Sequence, residues 1–340
     1  MTVSFIIPVY NCKEYLENCV NSIRAAGIQD CEILLVDDGS TDGSGALCDT
    51  LAGKYPEVRA VHQENAGASA ARNRGIREAR CEQIVFIDAD DSIDSAALGE
   101  ILADPRCSQA DMTIFGLTFD YYNQGKCYRR DPLFFGYDGI LTDTQWGNAF
   151  AELYAKNSLS PLWNKVLKRE LLIQHQLELN TSMFLYEDFE FVLRYMRHCD
   201  RIWNVPRAVY HYRQSEDEGN AKRRLARIDS IPTFLEPIEN AMAELAGANP
   251  ALPEEQRNAV LQRLYLVLAR EKIAVSDLRG IHRICHDFIR WEQTHELPEE
   301  ASKFQRHLLQ DKAGSLYLAN QKTVLRHKIA VWVKSHLKRG

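Results

Sequence analysis

The stretch IVFIDADDSID, residues 84–94, ends a short apolar run in a cluster of carboxylates. Residues 84–87 are apolar, and Asp88, Asp90 and Asp91 follow within four positions. Like charges this close repel one another, so a chain that places them at the end of a buried strand needs something to compensate them. The stretch therefore predicts a strand whose carboxyl end carries a binding site.

Apolar runs of the same kind precede this stretch, and helical patterns lie between them. The runs stop at acids, Gly, Pro or Asn, which indicates buried strands that end in turns. Strands that alternate with helices predict a mostly parallel sheet with right-handed crossovers, and such sheets bind ligands at the carboxyl ends of their strands. The predicted strands are 3–10, 31–40, 58–63 and 82–91, and the predicted helices are 13–26, 45–55 and 68–80.

The pattern changes after residue 110 and again near the polar stretch at 215–220. From that stretch onward only helical patterns follow, so we expect an α/β domain at 1–215 and a helical region at 216–340. Within 111–215 we predict a strand at 111–122, a hairpin or loop at 123–139, a helix at 143–156, a strand joined to a helix at 162–172, a helix at 187–199 and an extended segment at 201–214.

Composition excludes several classes of protein. The formal net charge of -6 makes no general case for nucleic-acid binding. No apolar run reaches about eighteen residues, so we expect no membrane span. The first apolar run is too short for a signal peptide and lacks a basic flank, which favours a cytoplasmic protein. The nine cysteines form no CxxC pair, so we expect reduced thiols.

Unusual polar residues follow three of the predicted strands, at the edge where ligands bind. Carboxylates held together there are tolerable beside a divalent cation, and sites with few protein oxygens suit Mg²⁺ or Mn²⁺, which also bind substrate phosphates. An arginine at the start of the third helix could pair with a phosphate. These residues are Pro8, Tyr10 and Asn11, then Asp37 and Asp38, then Asp88 to Asp91, with Arg72 on the helix.

Four blocks in this order resemble the family 2 glycosyltransferases with the GT-A fold: FIIPVYN (5–11), LLVDDGSTDGS (34–44), ENAGASAARNRGI (64–76) and VFIDADD (85–91). Three further blocks extend the resemblance to residue 213: NKVLKRELL (164–172), YEDFEFVLRY (186–195) and VYHYR (209–213). The resemblance covers about the first two-thirds of the chain. The final third has no motif that can be carried over.

The resemblance implies inverting transfer of a hexose or N-acetylhexosamine from a nucleotide diphosphate donor, usually UDP-linked, to a hydroxyl of a saccharide or lipid-linked acceptor in surface polysaccharide or glycolipid assembly. It implies a nucleotide-sugar half at about 1–110, an acceptor half at about 111–215, and a Mn²⁺ or Mg²⁺ cofactor. By position, the residues implied in nucleotide binding are Pro8, Tyr10, Asn11, Asp37, Asp38, Arg72, Asp88, Ala89 and Asp90. The implied metal ligands are Asp90, Asp91 and His211, and the implied catalytic base is Asp188.

The chemistry of inversion is consistent with this division of roles. A single in-line displacement needs no protein nucleophile, and a metal can stabilise the leaving diphosphate. The acceptor hydroxyl must lose its proton to a carboxylate on the opposite side of the sugar. Asp188 lies on a segment far along the chain from the other acids, as that arrangement requires.

Simpler interpretations stay open at this stage. The acids at 88–91 could cap the next helix, residues 37–40 could form only a turn, and Asp188 could be an N-cap. Arg72 could be a solvated helix residue, and His211 a packed one. Among functions, the alternatives are a catalytically inactive scaffold that binds a nucleotide, or a nucleotidyltransferase, although the Gly-rich entry loop of the latter is missing.

The last twenty residues, 321–340, carry six Lys or Arg and no acid. Apolar residues recur there at helical spacing, a pattern typical of a basic helix on an anionic membrane surface. The alternative is a packed helix with a solvated basic face. The helices at 220–310 could equally form a homodimer interface.

Overall fold

In a computed structural model, the described residues are 1–123, 125–214 and 227–295, followed by 305, 306, 308, 310, 312, 313, 315, 316 and 319. The chain folds into two compact units. The first contains residues 1–216 and 240–253, and the second contains 217–239 and 254–340.

The first part of the chain alternates strands and helices in the predicted order. The elements are β1 (Val3–Val9), α1 (Lys13–Arg24), β2 (Cys31–Asp38), α2 (Ser44–Lys54), β3 (Val58–Gln63), α3 (Ala68–Glu78) and β4 (Gln83–Phe86). Strands β1, β2 and β4 are almost fully buried, with residues such as Phe5, Ile33 and Ile84 inaccessible to solvent, whereas only Val58 of the edge strand β3 is buried.

The remainder of the first unit has shorter elements, several of which the sequence did not predict. Two-residue β5 and three-residue β8 are new, and the predicted helix at 143–156 is divided in two. The elements are β5 (Ser92–Ile93), α4 (Ser95–Ala103), α5 (Pro105–Gln109), β6 (Met112–Asn123), β7 (Lys126–Leu133), β8 (Gly139–Leu141), α6 (Asp143–Asn148), α7 (Phe150–Ala155), β9 (Lys165–Lys168), α8 (Arg169–Gln174), α9 (Glu187–Met196) and β10 (Ile202–Gln214).

These strands form one sheet in the order β3-β2-β1-β4-β9-β6-β10-β5, with β7 added to β6 and β8 added to β10. The pairs β1–β2, β2–β3, β1–β4 and β6–β10 are parallel, whereas β9 runs antiparallel to both β4 and β6. The predicted α/β class with a mostly parallel sheet is confirmed. Its predicted ligand edge is where β1, β2 and β4 end side by side.

Helix α3 is held close to the sheet by a glycine. A Cβ atom on Gly75 would lie 2.2 Å from Cγ2 of Ile6 in β1, so no larger residue fits without displacement. The helix starts at the carboxyl edge of the sheet and runs away from it. Its second turn therefore leaves Arg72 near that edge, with only 6% of the residue exposed.

The rest of the described chain is helical, as predicted: α10 (Ile231–Ala248), α11 (Glu254–Val275) and α12 (Leu278–Glu292). In the second unit, the rings of Tyr265, Phe288 and Trp291 pack together, and the Trp291 indole donates to Glu239 at 2.7 Å. The basic segment 321–340 lies outside the described residues. Across the helices that the structure does describe, none combines the length and apolarity that crossing a bilayer requires.

Candidate active site

The loops after β1 and β2 are tied to each other by an asparagine. The Asn11 backbone N–H donates to Ser40 Oγ at 3.1 Å, and its side-chain oxygen accepts from the Thr41 N–H at 2.8 Å. Asn11 itself has a left-handed backbone with φ of 50°, a conformation that Asn tolerates well. The turn leaves Tyr10 with 53% of its surface exposed beside the loop, so an aromatic face is available to a ligand.

Asp37 is buried at the end of β2 and shapes the following turn. It accepts from the Ser40 N–H at 3.1 Å and pairs with His62 Nδ1 at 3.0 Å. Burial alone raises the pKa of the Asp37 carboxyl, but the bonds from Ser40 and His62 outweigh it and hold that pKa below its ordinary value. Asp37 therefore stays ionised as an organiser of the loop.

Asp38 fixes the loop that enters α3. Its carboxylate accepts from the Gln63 side chain at 2.7 Å and from the backbone N–H groups of Ala66 at 2.9 Å and Gly67 at 2.8 Å. A carboxylate offers about four lone-pair sites, so three bonds leave one acceptor position for a ligand. The simple-turn interpretation of 37–40 is therefore incomplete, because both acids reach beyond their own turn.

The three acids of the opening stretch have three different environments. Asp88 accepts from Arg72 Nη2 at 2.7 Å. Asp91 is 3% exposed and accepts from the Tyr210 hydroxyl and the Arg213 backbone N–H, both at 2.7 Å. Burial, reinforced by the two neighbouring acids, raises the pKa of Asp91 to about 9. The third acid, Asp90, is exposed as a residue. Partial burial of its carboxyl and the charge of Asp88 nevertheless raise its pKa.

None of these three acids caps the next helix. Asp94 does so, since its carboxylate accepts from the Ala97 N–H at 3.0 Å. The capping interpretation of 88–91 is therefore wrong. Helix α9, in contrast, begins without a side-chain cap, because its N-cap position is Tyr186, whose φ is 59°, so the interpretation of Asp188 as an N-cap is wrong.

The residues that could hold a cation are few. Throughout the described ranges, no group of three or more His, Cys, Asp or Glu side chains is arranged to hold a metal ion. Both oxygens of Asp91 already accept hydrogen bonds, and His211 Nδ1 lies 3.2 Å from Asp120. Asp90 is the acid of the cluster most open to an ion. One open carboxylate fits Mg²⁺ or Mn²⁺ that takes its other ligands from water and a diphosphate.

Arg72 joins the acids after β4 to the acid of α9. Its Nη2 donates to Asp88 at 2.7 Å and its Nη1 to Asp188 Oδ1 at 3.2 Å. Burial raises the pKa of Asp188 to about 6, against the opposing influence of Arg72. A carboxyl with that pKa suits general-base work at neutral pH. The interpretation of Arg72 as a solvated helix residue is wrong.

Sequence reasoning missed the contributions of β10 and its neighbours. The Tyr210 hydroxyl donates to Asp91 and accepts from the Asp88 N–H at 3.0 Å, while its ring stacks on Trp163 with centroids 4.1 Å apart. Arg213 lies between two tyrosine rings, 4.6 Å from the centroid of Tyr15 and 3.7 Å from that of Tyr122. The block VYHYR contained the signal, but only His211 was singled out from it.

Lys165 is another unanticipated group near Asp188. It is fully buried, and its ammonium donates to the Pro161 carbonyl and to Asn164 Oδ1, the latter at 2.7 Å. Burial lowers the pKa of Lys165 to about 7, although the charge of Asp188 opposes that change. The signal in the sequence was the block NKVLKRELL, for which no role had been inferred.

Part of the chain is similar in sequence to known proteins. Residues 4–162 match the family described as glycosyl transferase family 2. The chain is 29% identical over 214 residues to the uncharacterised glycosyltransferase EpsJ of Bacillus subtilis (strain 168), covering 63% of this chain and 61% of that protein. It is 28% identical over 209 residues to the teichoic acid poly(glycerol phosphate) polymerase of Staphylococcus epidermidis, covering 60% of this chain and 28% of that protein.

A solved structure has the same fold. The structure of residues 1–349 of S. aureus TarS in complex with UDP-GlcNAc superposes with a TM-score of 0.61 at 17% identity, covering 96% of this chain and 92% of that one. At this identity the similarity concerns the fold. The chain spans only about three-fifths of the length of the relative EpsJ.

Proposed function

Because the N-terminal part of the chain belongs to glycosyl transferase family 2 through residues 4–162, we propose that the protein transfers a sugar from a nucleotide diphosphate donor to an acceptor hydroxyl with inversion. The observation that carries the proposal is the Arg72 bridge. It brings Asp188, a carboxyl with a pKa raised to about 6, next to the acids at the end of β4. A base beside a donor site is the minimum that the reaction requires.

The donor in this proposal is UDP-linked and lies over the carboxyl ends of β1, β2 and β4. The exposed ring of Tyr10 stacks on the base, and the remaining acceptor site of Asp38 takes a hydrogen bond from the base or ribose. Pro8, Asn11, Asp37 and Ala89 shape the backbone around them. The TarS structure that shares the fold contains UDP-GlcNAc, which supports a nucleotide-sugar ligand without identifying the sugar.

A divalent cation, Mn²⁺ or Mg²⁺, would be held by Asp90 and the donor diphosphate, with Asp91 and His211 as further candidate ligands. When bound, it neutralises charge on the leaving diphosphate. Arg213 would supply a positive charge in addition to the cation. Its guanidinium lies over the rings of Tyr15 and Tyr122, and its backbone N–H donates to Asp91. A guanidinium matches phosphate oxygens in charge and geometry.

The catalytic base is Asp188. Burial weakens its acidity, so the carboxylate accepts a proton more readily than an exposed one would. Arg72 occupies Oδ1, which leaves Oδ2 for the acceptor hydroxyl. General-base assistance of this kind contributes roughly 10²–10⁴ in rate.

The acceptor is a saccharide or lipid-linked saccharide of a cell-surface polymer. The similarity to a teichoic acid polymerase supports this setting. A cytoplasmic enzyme of such a pathway would meet its lipid-linked acceptor at the inner membrane surface, and the basic segment 321–340 offers a means of contact. Sedimentation with anionic liposomes should decrease when that segment is deleted and when salt is raised, and unchanged sedimentation would exclude this role. A homodimer through the helical region is a further proposal, checked by analytical ultracentrifugation.

The function is tested by incubating the purified protein with a panel of UDP- and GDP-sugars, with Mn²⁺ or with EDTA, and measuring release of the nucleoside diphosphate. Metal-dependent release from one donor, increased by saccharide acceptors, is the expected result. UDP binding without consumption of any donor would indicate an inactive scaffold. Pyrophosphate release from a nucleoside triphosphate and a sugar 1-phosphate would indicate a nucleotidyltransferase.

A further inference from the structure

Arg72 holds two carboxylates that belong to different parts of the chain. Asp88 follows β4, Asp188 lies in the first turn of α9, and the guanidinium lies between them with bonds of 2.7 Å and 3.2 Å. Only 6% of Arg72 is exposed. The side chain is thus part of the packed interior of the site rather than a group extending into solvent.

A donor-binding role alone leaves this geometry unexplained. An arginine that grips a phosphate presents its N–H fork to the ligand, as bidentate Arg–phosphate pairs do. Here the two terminal nitrogens of Arg72 each donate to a protein carboxylate, one on the donor side and one on the base. Nε is buried, and among the described residues it has no hydrogen-bond partner.

We propose that Arg72 is a positioning residue for the general base: it fixes Asp188 Oδ1, so that Oδ2 faces the acceptor hydroxyl, and it links the base to the donor-side Asp88. This inference rests on the proposed function of Asp188. Because one guanidinium spans both acids, a donor that moves Asp88 also moves the group that orients the base. Misplacement of a catalytic group by about 1 Å can reduce the rate by about 10²-fold.

Charges on four elements act on Asp188. Arg72 comes from α3, Asp88 from the segment after β4, Glu187 from α9 itself and Lys165 from β9. Burial raises the pKa of Asp188 most, the cation Arg72 opposes it, the two acids add to the rise and Lys165 opposes it, and the net pKa is about 6. Burial lowers the pKa of Lys165 to about 7, and its charge acts on Asp188 less strongly than that of Arg72 does.

The test compares Arg72→Met and Arg72→Lys with the control Arg74→Met. Arg74 lies on the same helix, but it is part-exposed and pairs with Glu78 at 2.9 Å. We expect Arg72→Met to move the acid limb of kcat/KM upward by about one pH unit and to reduce kcat/KM at pH 7 by about 10–100-fold. Arg72→Lys keeps the charge but cannot span two carboxylates. Its acid limb of kcat/KM should therefore lie near the wild-type pH, while kcat/KM at pH 7 should be restored only in part.

UDP affinity, measured by calorimetry, separates this role from donor binding. A positioning residue changes kcat more than UDP affinity. Weakened UDP binding with an unchanged pH profile would overturn the proposal. The proposal would also be overturned if Arg72→Met lowered kcat by the same factor in the wild-type and Asp188→Asn backgrounds. A residue that acts through Asp188 should have little effect on kcat once that carboxylate is gone.

A direct titration distinguishes this inference from failure of the proposed function. Carboxyl ¹³C signals of aspartate-labelled protein, with Asp188 assigned from the Asp188→Asn spectrum, report its protonation without any turnover. An upward shift of the Asp188 titration in Arg72→Met, where the positive charge is lost, supports the proposal even if no donor is found. A titration that stays where it was refutes it. Circular dichroism establishes that each variant is folded, and Arg72→Gln, which also removes the charge, carries the titration if Arg72→Met is not folded.

Discussion

Replacing Asp188 with asparagine should lower activity and raise stability at the same time. Asparagine keeps the size of the side chain and an oxygen for Arg72 Nη1, which lies 3.2 Å from Oδ1, but it cannot accept the acceptor's proton. Turnover should fall by roughly 10²–10⁴, equivalent to about 3–5 kcal/mol of barrier. The remaining rate would reflect donor binding and leaving-group stabilisation.

The stability change has the opposite sign. The pKa of Asp188 in the fold is raised to about 6, so the folded protein holds this proton more tightly than the unfolded chain does, where the value is near 3.9. The stabilising contribution of protonated Asp188 to the free energy of unfolding is fully present below about pH 4 and is lost as the pH rises through about 6. At neutral pH the ionised carboxylate therefore costs of the order of 1–3 kcal/mol, which the neutral amide avoids.

The assay pairs donor turnover with urea denaturation at pH 7.5, and repeats turnover across pH 5 to 8. Wild-type kcat/KM should rise about tenfold per pH unit below about pH 6 and then level, whereas the residual activity of Asp188→Asn should lack this limb. Glu187→Gln is the matched control at the adjacent position and should have a smaller effect. Retention of more than about a tenth of wild-type turnover would assign the base elsewhere. Loss of stability would instead indicate a structural role.

Tyr210→Phe should lower the free energy of unfolding by about 2–4 kcal/mol in urea denaturation, because it keeps the ring but removes the hydroxyl that donates to buried Asp91. Gly75→Ala should destabilise the fold by about 1–3 kcal/mol, since its Cβ would lie 2.2 Å from a side chain of β1. Gly53→Ala in α2 has nothing within 4 Å of its Cβ and should instead stabilise by about 0.5–1 kcal/mol; the same sign for both would contradict the packing argument. Asp90→Ala should abolish the Mn²⁺ dependence of UDP binding in calorimetry, while EDTA leaves the melting temperature of the wild-type protein unchanged.

Much of the first unit could be predicted because its signals are local. Three of the first four strands, β1, β2 and β4, contain apolar runs that end in turn residues, and alternation with helices implies parallel pairing whatever the long-range contacts are. The insertion of β9 between β4 and β6 could not be predicted in this way. That strand has four residues, and its place is decided by pairing with segments that are distant along the chain, β4 and β6.

The candidate site shows the same difference between local patterns, which the sequence reveals, and long-range contacts, which it does not. Acids at strand ends predict a ligand edge from the sequence itself, because residue type and position suffice to bring them to the same edge of the sheet. The hydrogen-bond partners do not appear in the sequence, since Arg72 reaches Asp188 across 116 positions and Tyr210 reaches Asp91 across 119. Such contacts depend on which strand neighbours which, and on side-chain rotamers that no local pattern encodes.

The partners of the three acids change the case for a metal. Clustered carboxylates at a strand end suggest that an ion is needed to make the cluster tolerable. In the folded protein, Arg72 compensates Asp88, and the Tyr210 hydroxyl and the Arg213 N–H satisfy Asp91. Asp90 is exposed, although partial burial of its carboxyl and the charge of Asp88 raise its pKa. Because burial and the neighbouring acids still raise the pKa of Asp91 to about 9, an ion bound through Asp90 would offset charge that these partners leave uncompensated, in addition to charge on the leaving diphosphate.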